Sequence, residues 1–243
     1  MQVEVWSDVV CPWCYIGKRR LEEALARFPH AEEVEVVWRA FELDPSASSA
    51  KAGGPAREAG DYARRLAAKY GTSVEQGQSM VDTMTSAAAA DGVEMRFDLA
   101  VAANTLDAHQ VLHLAADRGV QDAAEERLMR AYFTEGEAVG DPEVLVRLAV
   151  EAGLDADEVR AVLAEGRYVD AVRAEEAEAS ALGATGVPFF VVDRRYGVAG
   201  AQSAEQLLAV LQRAWDERSP LTLVGAGPDA RAADACGPEG CAV

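Results

Sequence analysis

The chain has 243 residues, half of them hydrophobic, and a formal net charge of −18 from 23 basic against 41 acidic residues. That length and composition describe a globular protein with a substantial core, as one large domain or two smaller ones. The acidic balance excludes nucleic acid and anionic membrane as expected partners, because both are bound by clustered Lys and Arg. No stretch approaches the length of a transmembrane helix, and Met1 to Trp6 lacks the basic-then-apolar pattern of a secretory signal. A reducing cytoplasm is therefore the expected setting. There, four cysteines are expected to be catalytic or metal-binding rather than a disulfide framework.

In residues 2–8, Val3 and Val5 alternate with Glu4, and the run turns wholly apolar at Val9-Val10. This predicts a strand buried in a sheet centre. Cys11-Pro12-Trp13-Cys14 follows and opens a helix with Leu21, Ala24, Leu25 and Phe28 on one stripe, stopped by Pro29. Residues 34–43 read as a second strand, ended by Asp44-Pro45, so the start is β-α-β with a parallel pair. Residues 46–60 have loop composition.

From 61 to about 182 the pattern is helical, with segments around Tyr62–Tyr70, Val81–Ala90, Asn104–Asp117 and Asp122–Phe133. A helix opened by Asp141-Pro142 and closed by Gly153 is followed by Asp155–Glu165 and Tyr168–Leu182. The β signal returns at Val187–Val192, with a turn at Asp193-Arg194-Arg195 and a short partner at Tyr196–Ala199. Ser203 and Gln206 form a capping box for a last helix carrying Leu207, Leu208, Leu211 and Trp215. The expected fold is α/β: a thioredoxin-like four-stranded sheet from residues 1–50 and 184–219, with a large α-helical insertion at 51–183. Residues 220–243 form a flexible tail containing Cys236 and Cys241.

A Cys-x-x-Cys at a strand-to-helix junction is a redox signature in a βαβ context. Cys11 falls at the helix N-cap, where unpaired amides and the helix dipole favour a thiolate. Pro12 falls at the first helical position, which tolerates it. Cys14, one turn in, is placed to attack a mixed disulfide on Cys11. A Cys₄ zinc site completed by Cys236 and Cys241 is the alternative. Zinc knuckles hold such pairs in tight turns, not at a helix start with Pro and Trp between them, so redox chemistry is preferred and no metal is expected. Trp13, held between the cysteines, is expected to face out. Lys18 reads as a surface residue whose charge could favour nearby thiolates.

Ser7-Asp8-Val9-Val10-Cys11-Pro12-Trp13-Cys14-Tyr15-Ile16-Gly17-Lys18, Trp38-Arg39-Ala40-Phe41-Glu42-Leu43-Asp44-Pro45 and Thr185-Gly186-Val187-Pro188-Phe189-Phe190 resemble the FrnE-type branch of the DsbA superfamily. The resemblance implies a cis proline at Pro188 opposite the dithiol, with Val187–Pro188 as a platform for an extended substrate. It implies that Asn104 and His109 border the active-site cleft, as in the related kappa-class glutathione transferases and 2-hydroxychromene-2-carboxylate isomerases. Those relatives carry a serine where Cys11 stands.

The expected function is thus thiol–disulfide exchange on a protein or small-molecule substrate, with Cys11 and Cys14 catalytic and Pro12, Trp13, Val187, Pro188, Asn104 and His109 binding substrate. No cofactor is expected beyond glutathione or another thiol as co-substrate. The alternative is a glutathione-dependent isomerase or transferase acting on an aromatic, polyketide-like metabolite. Cys236 and Cys241 are expected to form a second redox pair exchanging with the first.

Overall fold

In a computed structural model of the chain, residues 1–49 and 60–218 are described; Cys236 and Cys241 lie outside them. Strand β1 (Gln2–Ser7) runs along the middle of a four-stranded sheet of order β2-β1-β3-β4. It pairs in parallel with β2 (Glu35–Ala40), reached through helix α1 (Pro12–Ala26) and a short turn at Ala31–Glu33. On its other side it pairs antiparallel with β3 (Phe189–Val192), which folds back into β4 (Tyr196–Ala199). Asp193 and Arg194 take positive φ (48° and 55°), the backbone a tight hairpin turn needs. Asp193 is held there because its carboxylate accepts from the Gln2 amide at 2.7 Å.

The period of two along β1 sends its side chains to opposite faces. Val3 and Val5 pack with Leu21 of α1, Phe28 just beyond its end, Phe190 of β3, and Leu207 and Leu211 of the last helix, α9 (Ala204–Asp216). The Ser203–Gln206 capping box forms and starts α9. On the other face Trp6 packs with Phe189, Val191 and Ala179, and its indole N–H donates to the Glu175 carbonyl at 2.9 Å. Burying the indole without that bond would leave a costly unpaired donor.

Between β2 and β3 come α2 (Asp61–Tyr70), α3 (Val74–Ala90), α4 (Leu106–Asp117), α5 (Gln121–Arg130), α6 (Pro142–Glu151), α7 (Ala156–Glu165) and α8 (Val169–Ala181). Helix α3 begins well before the expected Val81, at a Ser73–Gln76 capping box. Its Gly77 lies against α2: a Cβ there would sit 2.3 Å from the Ala63 carbonyl oxygen. Helix α5 runs into a π turn, Ala131–Glu135, in place of one continuous helix to Phe133. The core of these helices is continuous with Cys11, Cys14, Tyr15 and Ile16, so the start of α1 belongs to both halves of the molecule.

Strand β2 stops at Ala40, three residues short of the expected end at 43. It is an edge strand, and an unpaired edge is a template for unwanted pairing. Here side chains of the insertion take the place of a neighbouring strand. The Gln121 amide accepts from Trp38 N at 3.1 Å and donates to Trp38 O at 2.8 Å. Glu175 accepts from the Ala40 amide at 2.7 Å.

Candidate active site

Cys11 occupies the N-cap of α1 in an extended conformation (φ −90°, ψ 113°), and Pro12 takes the first helical position. The amides of Cys14 and Tyr15 point at the Cys11 carbonyl from 3.1 and 3.3 Å, which closes the first turn. Both cysteines are free thiols. Their surroundings differ. Cys14 is 1% exposed, and burial, with the neighbouring Cys11 sulfur, pushes its thiol pKa well up; the Asp8 backbone and the Ser7 hydroxyl pull it back only in part. Cys11 lines an open cleft, and its thiol donates to the Val187 carbonyl at 3.6 Å.

The Val187–Pro188 bond is cis. Its loop lies directly on α1, because a Cβ at Gly17 would come within 3.0 Å of the Pro188 ring. Val187 therefore faces the cleft while Pro188 sits behind it. The cleft measures about 1030 Å³, at the upper end for sites that enclose a small molecule. It is lined by Pro12, Trp13 and Val187 together with Tyr62 and Leu66 of α2 and Met80 and Met84 of α3. Tyr132, on the π turn, also reaches it. Trp13 is 36% exposed at this surface, consistent with its place between the thiols. Arg65 and Lys69 add cationic groups along α2, Arg65 stacked over Tyr62 at 5.1 Å and bonded to the Ala100 carbonyl at 3.0 Å.

Of two expected cleft residues, Asn104 sits at the border and His109 lies away from it. Asn104 precedes α4, accepts from the Leu106 amide at 3.1 Å and donates to the Pro45 carbonyl at 3.1 Å; it ties a loop to a helix start. His109 is 2% exposed, one layer below the cleft, with Nε2 3.7 Å from Asp8. His109 lines no part of the cavity and is corrected, whereas Asn104 lies between Ala103 and Thr105, which do line it. The reason is local: the first turn of α4 points His109 at the buried Asp8. Lys18 is a second correction, being 2% exposed rather than on the surface. Its ammonium lies 3.0 Å from Asp122 and 3.6 Å from Glu126, besides Glu22 one turn on. Burial alone would lower its pKa; those acids more than reverse that and raise it.

Beneath the dithiol lies a set of buried polar groups that the sequence pattern does not single out as a site. Asp8 is fully buried and accepts from the Leu43 amide at 2.8 Å and, through its main-chain oxygen, from Cys11 at 2.9 Å. It fixes the approach to the motif and the chain beyond β2 at once. Ser7 Oγ donates to Glu125 of α5 at 2.7 Å, and both are 1% exposed. Burial raises the Glu125 carboxyl to about 7, against the Ser7 bond and the charges of His109 and Lys18. For His109, burial opposes protonation, yet Asp8, Glu125 and Glu42 outweigh it and its pKa is raised. Polar Ser7-Asp8 within an apolar run was a signal of this; Glu125, in an ordinary charged helix, gave none.

A thioredoxin-like sheet with a helix-capping Cys-x-x-Cys facing a cis-proline loop defines a protein of the thiol–disulfide class. The DSBA-like thioredoxin domain family matches residues 2–212, and the chain belongs to that family. Among solved structures it is similar to a "probable DsbA oxidoreductase" of Streptomyces coelicolor (50% identity, TM-score 0.84, covering 100% of this chain and 99% of that one). It shares its fold with the cytosolic disulfide reductase DsbM of Pseudomonas aeruginosa, solved with GSH (19% identity, TM-score 0.59, 89% and 100% covered). Among curated proteins, YwbO of Bacillus subtilis is 29% identical over 222 residues, 88% of this chain and 98% of that protein. No described helix is long and apolar enough to cross a membrane.

Proposed function

We propose that the protein is a thiol–disulfide oxidoreductase whose Cys11–Cys14 dithiol acts through a mixed disulfide. The observation that carries this is the placement of Cys11 at a helix N-terminus, 3.6 Å from the Val187 carbonyl, at the edge of a cleft of about 1030 Å³. The helix end favours negative charge on sulfur, and the cleft gives a substrate sulfur its approach. The Cys11 thiolate attacks a substrate disulfide, one substrate sulfur leaves as a thiolate, and Cys14 then attacks the Cys11 sulfur to release the other. In the oxidising direction the steps reverse. The Val187 backbone beside Cys11 would hold an extended substrate segment.

The apolar cleft favours small disulfides or a single inserted side chain over a broad protein surface. Glutathione as co-substrate, and a cytoplasmic setting, are in keeping with the fold shared with the cytosolic DsbM. The test is insulin reduction beside reduction of a small mixed disulfide of glutathione, for wild type, Cys11→Ser and Cys14→Ser. Loss of both activities in Cys11→Ser, with a trapped Cys11 adduct in Cys14→Ser, is expected. Full activity in Cys11→Ser would overturn the reading.

A second reading, a glutathione-dependent isomerase or transferase for an aromatic metabolite, draws on one observation. Tyr62, Tyr132, Met80 and Met84 make the cleft suited to a flat apolar body. It requires activity that survives Cys11→Ser, so the same variants separate the two.

A further inference from the structure

Helix α2 turns one face to the cleft. Tyr62, Arg65, Leu66, Lys69 and Tyr70 recur at helical spacing, three or four residues apart, and all five line it. At about 1.5 Å per residue this face runs roughly 10 Å from Tyr62 to Lys69. It passes from packed to open: Tyr62 sits against Phe97 with ring centroids 4.6 Å apart, whereas Tyr70 is 59% exposed. Between them Arg65 and Lys69 stand one turn apart.

Arg65 is fixed in place. It stacks on Tyr62 at 5.1 Å, its Nη2 donates to the Ala100 carbonyl at 3.0 Å, and its Nε lies 3.3 Å from Asp61. Asp61 is shared with Arg64 at 3.6 Å, so one carboxylate faces two guanidinium groups. Lys69 is exposed and forms no ion pair within 4.0 Å among the described residues. The acidic residues lining the cleft are Asp8 and Asp44. Asp8 is fully buried and bonded to the Leu43 amide. Asp44 is engaged in its own turn, accepting from the Ser46 amide at 3.1 Å and the Ser46 hydroxyl at 2.7 Å. The Ser46 hydroxyl, with a smaller contribution from Lys69, holds the Asp44 carboxyl below its usual range.

We propose that Arg65 and Lys69 form an anion subsite of the cleft, and that the disulfide presented to Cys11 belongs to a small molecule carrying a carboxylate. This deepens the thiol–disulfide reading above and rests on it. The carboxylate accepts charge-assisted hydrogen bonds from Arg65 Nη1 and Lys69 Nζ, while its apolar stem lies along Tyr62, Leu66 and Met80. The chain as a whole carries −18, which at long range repels an anion and attracts a cation. A preference for the anion can therefore arise only from a local site. The sign of the preference is decisive.

The experiment mixes the full reduced chain with 3,3′-dithiodipropionate (anionic), 2-hydroxyethyl disulfide (neutral) or cystamine (cationic). Loss of the free Cys11 thiol is read by alkylation and mass spectrometry. Each rate is divided by that of the same disulfide with dithiothreitol, which removes intrinsic reactivity. Wild type should favour the anionic over the neutral disulfide by about fivefold or more, with cystamine slowest. Lys69→Glu, at an exposed position, should reverse that order, and Lys69→Arg should keep it. Arg65→Gln should lower the anionic-to-neutral ratio. Arg64→Gln removes the same charge one residue along but off the cleft, and should leave the ratio as in wild type. Cystamine reacting fastest with wild type overturns the subsite. So does a ratio unmoved by Lys69→Glu, or one lowered equally by Arg64→Gln. Failure of Cys11 to react with any of these disulfides would instead defeat the oxidoreductase reading itself.

Discussion

The two flanks of strand β1 are built by opposite means. Against α1 and α9 the sheet buries Val3, Val5, Leu21, Phe28, Phe190 and Leu211 in a purely apolar layer. Where it meets the insertion, the end of the strand and its extension bury Ser7 and Asp8, matched by Glu125 and His109. The first flank is held by volume and is non-directional. The second is held by pairs, each stable only while both partners stay. An apolar layer would serve stability as well or better, so the polar seam directly under the dithiol is where chemistry has been favoured over packing.

That contrast can be broken most sharply by separating activity from stability. Cys11→Ser should reduce exchange by about a thousandfold or more while leaving thermal unfolding within a few degrees of wild type; turnover and melting curves of the same sample check this. On the apolar flank the order should invert. Leu211→Ala should cost about 3 kcal/mol in urea unfolding, with activity per folded molecule unchanged. A loss below about 1 kcal/mol would mean that α9 is not held by that layer.

The seam should carry a pH signature that the apolar flank lacks. Between pH 4.5 and about 7 folded Glu125 keeps a proton that the unfolded chain has released. Its contribution to stability therefore falls as pH rises through that window. Glu125→Gln should gain on wild type as pH rises, by up to about 3 kcal/mol at neutral pH, at about 1.4 kcal/mol per pKa unit. His109 works to the same sign: its contribution is full below 6.5 and is lost as pH passes its raised folded value. Urea titrations of wild type and variant at several pH values decide it, a constant difference being the contrary result. The smallest effect is expected at the rim. Asn104→Ala should cost about 1 kcal/mol through the lost bonds to the Leu106 amide and the Pro45 carbonyl and leave KM for small disulfides unchanged. A several-fold rise in KM would return Asn104 to the cleft.

The legible parts of the sequence were those whose cause is local. The Cys11 cap with Pro12 behind it, the β-α-β start, the hairpin at Asp193 and the Ser203 box each depend on neighbours a few residues away. The Ser73–Gln76 box is equally local, although the Ala-rich stretch that follows carries the stronger helical pattern. The seam is readable only at Ser7-Asp8, two polar residues in an apolar run. Lys18 looked like a surface residue because its partners Asp122 and Glu126 are on a helix over a hundred positions away. The cleft position expected for His109 came from the family resemblance alone; spacing says which face of a helix a residue shares, not which face is buried. The π turn that carries Tyr132 to the cleft adds one residue to a helical ladder and leaves no mark in apolar periodicity.

The side-chain bonds of Gln121 and Glu175 to the edge of β2 bear on how separable the two halves are. A thioredoxin-like unit cut free of its insertion would leave the backbone of Trp38 and Ala40 bare along that edge. Such an edge recruits strands from other molecules, so excision should yield aggregates rather than a smaller soluble enzyme. The insertion is in this sense a built-in chaperone for the sheet that it interrupts.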